Sequence, residues 1–367
     1  MDIDKNGQVI DHKIAETIIR VDRRMSYTQV RCILEDGDTE ISREYADFVP
    51  MFFLMKELSE LLRSRRHHRG SIDFDFPEAK IILDKKGKPV DIRPYEANTA
   101  TKIIEDFMLL ANETVASEYF WQEIPFLYRV HDTPDPEKIQ ALAEFIRNFG
   151  YGLKGVQDEV HPKELQKLLS RVADSPEEAL ISRLTLRSMK QARYSTECTG
   201  HFGLAAKYYT HFTSPIRRYP DLQIHRIIKE NLRGRLNAER IAHYQEILPE
   251  VAEHSSKTER RADEAERDTD KMKKAEYMQQ HIGEEYEGVI SSITSWGMYV
   301  ELPNTIEGLI HVANLYDDRY YYNENTHEMV GSDLGKVYKL GQSIRVRVLD
   351  ADKENATIDF VPAAIWG

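Results

Sequence analysis

The chain has 367 residues, enough for two or three domains with substantial cores. Its net charge of −12 excludes a generally basic coat for nucleic acid but not a local basic channel, because binding follows the charge near the groove. Two isolated cysteines exclude a disulfide framework and a zinc knuckle, and the longest apolar run, Phe48 to Met55, is too short to cross a bilayer, so we expect a cytoplasmic protein without a membrane partner.

The first predicted element is a hairpin at residues 1–13, because Asn6-Gly7 is typical of a tight turn between two short strands. The same residues imitate the start of a calcium-binding loop. The twelfth position of such a loop requires a glutamate, and the chain has Lys13 there. We therefore exclude calcium at this position.

An amphipathic helix is predicted from Pro50 onward, because leucines 54, 58, 61 and 62 share one face. It ends in the basic run Arg63–Arg69, followed by Gly70 as the stop. Two interpretations of this run stand side by side. The cations either belong to a solvated helix end, where they complement the helix dipole, or form a patch that faces nucleic acid.

Alternating apolar and acidic residues then predict a strand over Ile72–Phe76, and a second strand leads through a turn at Gly87 to Val90–Ile92. Thr99 is the predicted N-cap of a long helix over Thr101–Tyr119. The polar side of that helix carries Glu105, Asp106 and Asn112.

Residues 135–195 are predicted to be mostly helical, with starts at Asp135-Pro136, His161-Pro162 and Ser175-Pro176. His131, just before them, is predicted to be a structural histidine, since no nucleophile accompanies it. The charged run Glu253–Lys274 is predicted to be an exposed connecting helix.

Two adjacent arginines stand between two prolines in the segment His211–Asp221. Pro215 and Pro220 each fix φ and push the preceding residue towards extended geometry, so Arg217 and Arg218 are expected on a stiff bend. A guanidinium held in this way is a good phosphate clamp, because it donates two parallel hydrogen bonds at any working pH. The alternative is a structural ion pair between an arginine and a carboxylate.

From about Ile282 the chain changes to short strands with glycine bends, which predict an all-β, OB-type barrel. The strands are expected within residues 286–302, 307–312, 343–349 and 356–360, with Tyr320, Tyr321 and Tyr322 in a longer loop.

The segments His201–Ala205 and Tyr209–Leu222 resemble the C-terminal signature of the RNB exoribonucleases, the ribonuclease II and ribonuclease R family. The resemblance implies that Arg217 contacts the phosphate near the scissile bond and that Arg218 is a further substrate contact. Gly70–Lys80 is similar to the family segment whose aromatic residue packs on the 3′-terminal bases, and Phe74 occupies that position. For Phe74, a place in the core is the alternative.

The segment Ile103–Asn112 is also similar to the family, in which the first acidic residue approaches the terminal ribose. That residue is Glu105, for which a solvated helix face is the alternative. The C-terminal strands resemble an S1-like RNA-binding domain, a barrel that stacks bases on aromatics and follows phosphates with cations. Its candidate RNA-binding residues are Trp296, Tyr299, His311 and Arg347. Tyr299 and Arg347 could instead only pack or pair.

In this family magnesium is held by an aspartate cluster, which the resemblance implies upstream of the part matched here. We therefore expect Mg²⁺ as the cofactor, no metal ligand in this chain, and a truncated form. The carboxylate pairs that come nearest, such as Asp73 with Asp75 and Asp268 with Asp270, are predicted to be strand or surface charges.

The predicted fold is α+β for residues 1–280, the C-terminal portion of an RNB domain, followed by the all-β barrel at 281–367. The predicted function is 3′-to-5′ exoribonuclease activity that yields nucleoside monophosphates, with single-stranded RNA 3′ ends as the partner. The alternatives are a non-hydrolytic, single-stranded RNA-binding fragment and a chain whose unpaired sheet edges lead to aggregation.

Overall fold

The structure is a computed structural model that describes residues 1–72, 78–95, 97–155, 159–175, 177–324 and 326–363. Helices dominate the first three quarters of the described chain, and strands dominate the last quarter. The helices are α1 (Tyr27–Arg31), α2 (Thr39–Glu44), α3 (Val49–Arg69), α4 (Thr99–Trp121), α5 (Pro136–Arg147), α6 (Pro162–Val172), α7 (Glu178–Ser188), α8 (Tyr219–Leu232) and α9 (Ala238–Met278).

The strands are mostly short, and those of the barrel are the longest. They are β1 (Asp2–Ile3), β2 (Val9–Asp11), β3 (Glu78–Leu83), β4 (Pro89–Tyr95), β5 (Tyr128–Val130), β6 (Arg193–Ser195), β7 (Glu285–Thr294), β8 (Gly297–Glu301), β9 (Glu307–His311), β10 (Tyr320–Asn323), β11 (Glu328–Gly331), β12 (Val337–Tyr338), β13 (Ser343–Asp352) and β14 (Thr357–Pro362). The pairs β1–β2, β3–β4 and β5–β6 are antiparallel, and β10, β11 and β12 form a small sheet.

The strand order β13-β14-β9-β8-β7 closes into a barrel, in which only the β14–β9 contact is parallel among the described strands. Its interior is filled by alternating apolar side chains such as Met298, Val300 and Phe360, which are fully buried. The predicted all-β barrel after an α+β portion is confirmed. No helix of the described chain is long and apolar enough to cross a membrane.

Helix α9 connects the α+β portion to the barrel. Its first half packs beside α4, β5, β6 and α8 in one apolar core, while Ala275 and Met278 at its end are buried in the barrel core. Residues 260–269 between these two contacts are exposed on every side. The prediction of an exposed connecting helix is confirmed, because this polar stretch has no core to cover.

Local signals fixed several helix ends as predicted. Asp135 caps α5, His161 caps α6, and Gly70 ends α3 with φ +111°, a backbone conformation that a β-carbon disfavours. The cap of α4 was predicted one residue too late. Asn98, not Thr99, accepts the backbone hydrogen bond from Thr101.

One further prediction is wrong, and two others concern residues outside the described ranges. Tyr320–Tyr322 do not form a loop, because they pair with β11 as strand β10, and the Tyr320 ring packs against Tyr338. Helix α7 begins at Glu178, whereas Pro176 of the predicted start lies outside the described residues. Most of the strand predicted over Ile72–Phe76 lies outside them too.

Three arginines of the basic run at the end of α3 fit neither interpretation drawn from the sequence, whereas Arg65, His67 and His68 are exposed, as expected of a solvated helix end. Arg63 donates to Asp106 Oδ2 at 2.8 Å, Arg66 lies 2.7 Å from Asp106 Oδ1, and Arg69 makes two hydrogen bonds to Glu113. Arg66 and Asp106 are buried. These arginines therefore join α3 to α4, and Asp106 does not lie on a solvated face.

Candidate functional site

The arginine segment forms a tight turn in front of α8. The Ser214 carbonyl accepts hydrogen bonds from the backbone N–H groups of Arg217 at 3.3 Å and Arg218 at 3.0 Å. Pro220 occupies the first turn of α8, where its missing N–H costs nothing. The bend predicted for the two arginines is present, and the Arg217 side chain is exposed on it.

A buried carboxylate holds this turn from behind. Asp221 is 0 % exposed, and its Oδ1 accepts from Arg218 Nη2 at 2.7 Å and from the Ser214 N–H at 2.8 Å. Arg218 thus forms the structural ion pair that was its alternative role, while Arg217 has no hydrogen-bond or ion-pair partner within the described residues. The pair leaves one guanidinium of the turn available to a ligand.

Three histidines lie in line beside the turn. His211 and Tyr194 are joined by a hydrogen bond of 2.8 Å, the rings of His211 and His201 both meet the Tyr209 ring edge-on, and His201 meets His131 in the same way. Burial, with Arg218 and Arg129 next in effect, lowers the pKa of His211 to about 2. Burial likewise lowers the pKa of His201 to about 3. The site therefore presents neutral imidazoles beside cationic guanidiniums.

His131 is structural, as predicted. Its Nδ1 accepts from the Gly203 N–H at 3.0 Å, which leaves Nε2 to donate to the Lys190 carbonyl at 2.7 Å. Burial lowers its pKa below the ordinary value, in keeping with a neutral ring that has both nitrogens satisfied.

Residues from α4, β5 and α9 complete the support of the site. Arg129 donates to Glu259 at 2.6 Å and lies over the Tyr194 ring at 4.7 Å. Asn112 donates to the Tyr209 hydroxyl at 3.2 Å and accepts from the Phe212 N–H at 2.9 Å. The sequence analysis placed Asn112 on a polar helix side, but it is buried. A lone amide among apolar residues was the only signal of its role.

No described interaction links the two other predicted RNA-contact residues, Glu105 and Phe74, to the arginine turn. Glu105 is exposed on α4, next in the chain to the buried Asp106. Phe74 lies outside the described residues. Their roles stay predictions.

On the barrel, the pairing of β8 with β9 brings three of the predicted residues together. Gly297 lies opposite His311, the Trp296 carbonyl accepts from the Val312 N–H, and Trp296 Nε1 lies 3.5 Å from the Tyr299 hydroxyl. Trp296 is 52 % exposed. These contacts leave an aromatic surface open to solvent.

Arg347 lies on a different strand, β13, where its Nη2 donates to Glu285 at 2.7 Å. The strand β14 separates β13 from β9 in the barrel. The guanidinium is therefore committed to an ion pair, which was the alternative to a role in RNA binding.

No group of three or more histidine, cysteine, aspartate or glutamate side chains that could hold a metal ion occurs among the described residues. Two carboxylates of the site, Asp221 and Glu259, are each paired with an arginine.

An α+β unit with a rigid arginine turn, followed by an OB-type barrel with exposed aromatics, defines the class of this protein. Residues 1–234 match the model of the RNB domain, and residues 279–361 match the S1 RNA binding domain. The chain belongs to the RNB family and carries an S1 domain, as the sequence analysis predicted.

Curated relatives of the chain are ribonucleases R. The chain is 44 % identical to ribonuclease R 1 of Lactococcus lactis and to ribonuclease R of Thermotoga maritima, covering 98 % of this chain and 44 % and 51 % of the relatives. It is 36 % identical to the Escherichia coli enzyme, of which it covers 45 %. The chain thus spans about half the length of the curated relatives it matches.

Solved structures agree with this assignment. Mycoplasma genitalium RNase R in complex with ribose-methylated single-stranded RNA matches with a TM-score of 0.82 at 28 % identity, over 92 % of this chain and 53 % of that one. The same enzyme in complex with double-stranded RNA matches with a TM-score of 0.77 at 25 % identity, over 92 % and 55 %.

Proposed function

We propose that the chain functions in 3′-to-5′ exoribonuclease activity of the ribonuclease R type, in which RNA is hydrolysed from its 3′ end to nucleoside monophosphates. One observation carries the proposal. Arg217 is exposed and without a carboxylate partner in the described chain, on a turn that the buried Arg218–Asp221 pair fixes. A pre-organised guanidinium of this kind stabilises charge that develops on a phosphate during its displacement.

In this proposal Arg217 contacts the phosphate near the scissile bond. Arg218 acts chiefly through Asp221, keeping the turn in the conformation that presents its neighbour, and adds positive potential. Glu105 would position the terminal ribose, and Phe74 would stack on the terminal base.

We also propose that the barrel binds single-stranded RNA upstream of the 3′ end. Trp296 and Tyr299 would stack bases, because Trp296 is exposed, its Nε1 lies 3.5 Å from the Tyr299 hydroxyl, and every base has a face that can stack. His311, opposite Gly297, would contact the same strand. Arg347 would contact a phosphate of this strand by exchanging Glu285, its partner in the structure, for the phosphate.

Hydrolysis in this family is expected to require a divalent cation, proposed here as Mg²⁺. The residues of the described chain do not fit such an ion, because their carboxylates do not gather into a group that could hold it. The proposed contribution of the described residues is therefore to bind and orient the RNA. We keep the domain boundary between residues 280 and 281 and a cytoplasmic location as parts of the proposal.

The first experiment measures release of mononucleotides from a 3′-labelled single-stranded RNA by the purified chain with magnesium, together with binding of the same RNA. Release that disappears in Arg217→Ala would support the proposed role of Arg217 and would also mean that carboxylates of this chain hold the ion. Binding without release would place the metal ligands outside this chain and favour the alternative for the chain by itself, a non-hydrolytic RNA-binding fragment.

A matched control is Arg233→Ala, which removes an exposed arginine that pairs with Glu16 at the other end of α8. It should leave RNA affinity within about twofold of the parent, because it removes one positive charge, as Arg217→Ala does, but at a position outside the site. Equal behaviour of Arg217→Ala and Arg233→Ala would refute the phosphate contact.

A further inference from the structure

His211 lies beside the arginine turn in a setting that the proposed contacts do not use. Its ring is partly exposed, three residues before Ser214, and Arg217 and Arg218 are near enough to act on it electrostatically. Nδ1 is bound to the Tyr194 hydroxyl at 2.8 Å. Nε2 has no hydrogen-bond partner in the described part of the chain and still reaches solvent.

The contact with Tyr194 determines which nitrogen carries the proton. Burial raises the pKa of the Tyr194 hydroxyl well above its ordinary value, so the phenol keeps its hydrogen. That hydrogen has no other acceptor among the described residues, and a buried hydroxyl that donates to nothing is costly. Tyr194 therefore donates to Nδ1, and the proton of the neutral imidazole is on Nε2.

The surrounding charges explain why the ring is useful in the neutral form. Arg129, Arg217 and Arg218 all oppose a further positive charge at His211. A neutral Nε2–H adds a hydrogen-bond donor without adding to that repulsion. A donor that reaches solvent can exchange water for a stronger acceptor, and the non-bridging oxygens of an RNA phosphate are the strongest acceptors that an arginine turn attracts.

We propose that His211 is a second phosphate-contact residue, whose Nε2–H donates to a non-bridging oxygen of the phosphodiester that Arg217 holds. Tyr194 is the positioning residue that fixes the tautomer and the direction of this donor. The inference rests on the proposed function, and it adds a neutral contact to a site otherwise described by its guanidiniums.

Two amide variants separate the two ring nitrogens. In His211→Asn, Oδ1 can accept from Tyr194 in the place of Nδ1, but the side chain is too short to reach the position of Nε2. In His211→Gln, the longer amide can place an N–H donor near the position of Nε2. We expect His211→Asn to bind a short single-stranded RNA about 10-fold to 100-fold more weakly, and His211→Gln to stay within about twofold of the parent.

The probe RNA supplies a readout that a purely structural role would not affect. A matched RNA with a neutral methylphosphonate in place of its 3′-terminal phosphodiester lacks the charged acceptor. The difference between the parent and His211→Asn should shrink on this RNA, because one non-bridging oxygen is replaced by a methyl group and the other no longer carries a negative charge. An undiminished difference between them on the methylphosphonate, or equal losses for the Asn and Gln variants on ordinary RNA, would overturn the proposal.

Tyr194→Phe gives an independent test that keeps the imidazole in place. Without the hydroxyl, Nδ1 can carry the proton, so affinity for ordinary RNA should fall, and affinity for the methylphosphonate RNA should fall less. Unchanged affinity for ordinary RNA would overturn the role of Tyr194. Urea denaturation of each variant verifies that the chain is folded.

Arg217→Ala distinguishes this inference from the proposed function. If Arg217→Ala binds RNA as the parent does, the proposed function fails, whatever His211 does. If Arg217→Ala weakens binding and His211→Asn does not, only the inference about His211 fails.

Discussion

Replacement of Asp221 tests whether a buried ion pair keeps the arginine turn in place. Asp221→Ala leaves the Arg218 side chain, which is only 17 % exposed, without its counter-charge, and leaves the Ser214 N–H without an acceptor. Removal of one partner of a buried ion pair costs about 3–5 kcal/mol. Because Arg218 keeps some contact with water, we expect the free energy of unfolding to fall by about 3 kcal/mol.

Asp221→Asn is the matched variant. Its Oδ1 can still accept from Arg218 and Ser214, and its shape is unchanged, so only the charge is lost. We expect the free energy of unfolding to fall by about 1–2 kcal/mol, since a hydrogen bond to one charged group replaces an ion pair. The difference between the two variants combines the two retained hydrogen bonds with the side-chain volume that the alanine lacks and with the buried amide group that replaces Oδ2.

Urea denaturation gives the stability of both variants, and titration with single-stranded RNA under native conditions gives the affinity. If the turn pre-organises Arg217, Asp221→Ala should also weaken RNA binding by about tenfold, equivalent to about 1.4 kcal/mol. A loss of stability below about 1 kcal/mol for Asp221→Ala would refute the structural argument. A large loss of stability with unchanged affinity would mean that the prolines alone hold the turn.

Three further predictions concern stability. The folded chain holds His201 and His211 neutral, whereas the unfolded chain protonates them near the ordinary pKa of 6.5. The free energy of unfolding should therefore fall as the pH drops below about 6.5, by about 1–2 kcal/mol per histidine at pH 5. The urea midpoint measured between pH 7.5 and pH 5 checks this, and a flat profile contradicts it. Asp106→Ala should lower the free energy of unfolding by about 3–5 kcal/mol, because it leaves Arg63 and the buried Arg66 without their carboxylate partner. Replacement of an exposed carboxylate, Glu60→Ala, should change it by about 0.5 kcal/mol or less in the same assay. Gly297→Ala should cost about 2 kcal/mol or more, because φ is +157° and the new β-carbon would clash with the backbone carbonyl oxygen of Ile310; a thermal melt equal to that of the parent would show that the barrel relaxes there.

Local sequence signals determined the elements whose cause lies within a few residues. Asp135 and His161, each before a proline, start α5 and α6 because side-chain caps and a proline at the first helical position act locally. Alternating apolar residues and glycine bends predicted the barrel strands for the same reason. The stiff turn of Arg217 and Arg218 followed from the two prolines around it.

Only the tertiary structure decided which partners the polar side chains meet. Arg66 is paired with Asp106, forty residues later in the chain, although its own segment predicted a solvated helix end or a binding patch. The tautomer of His211 is likewise set by Tyr194, which an intervening loop brings back to it. A short segment fixes backbone geometry because caps, turns and alternation act over a few residues. The charge that a side chain meets depends on segments far away in the sequence, so it is decided only when the helices pack.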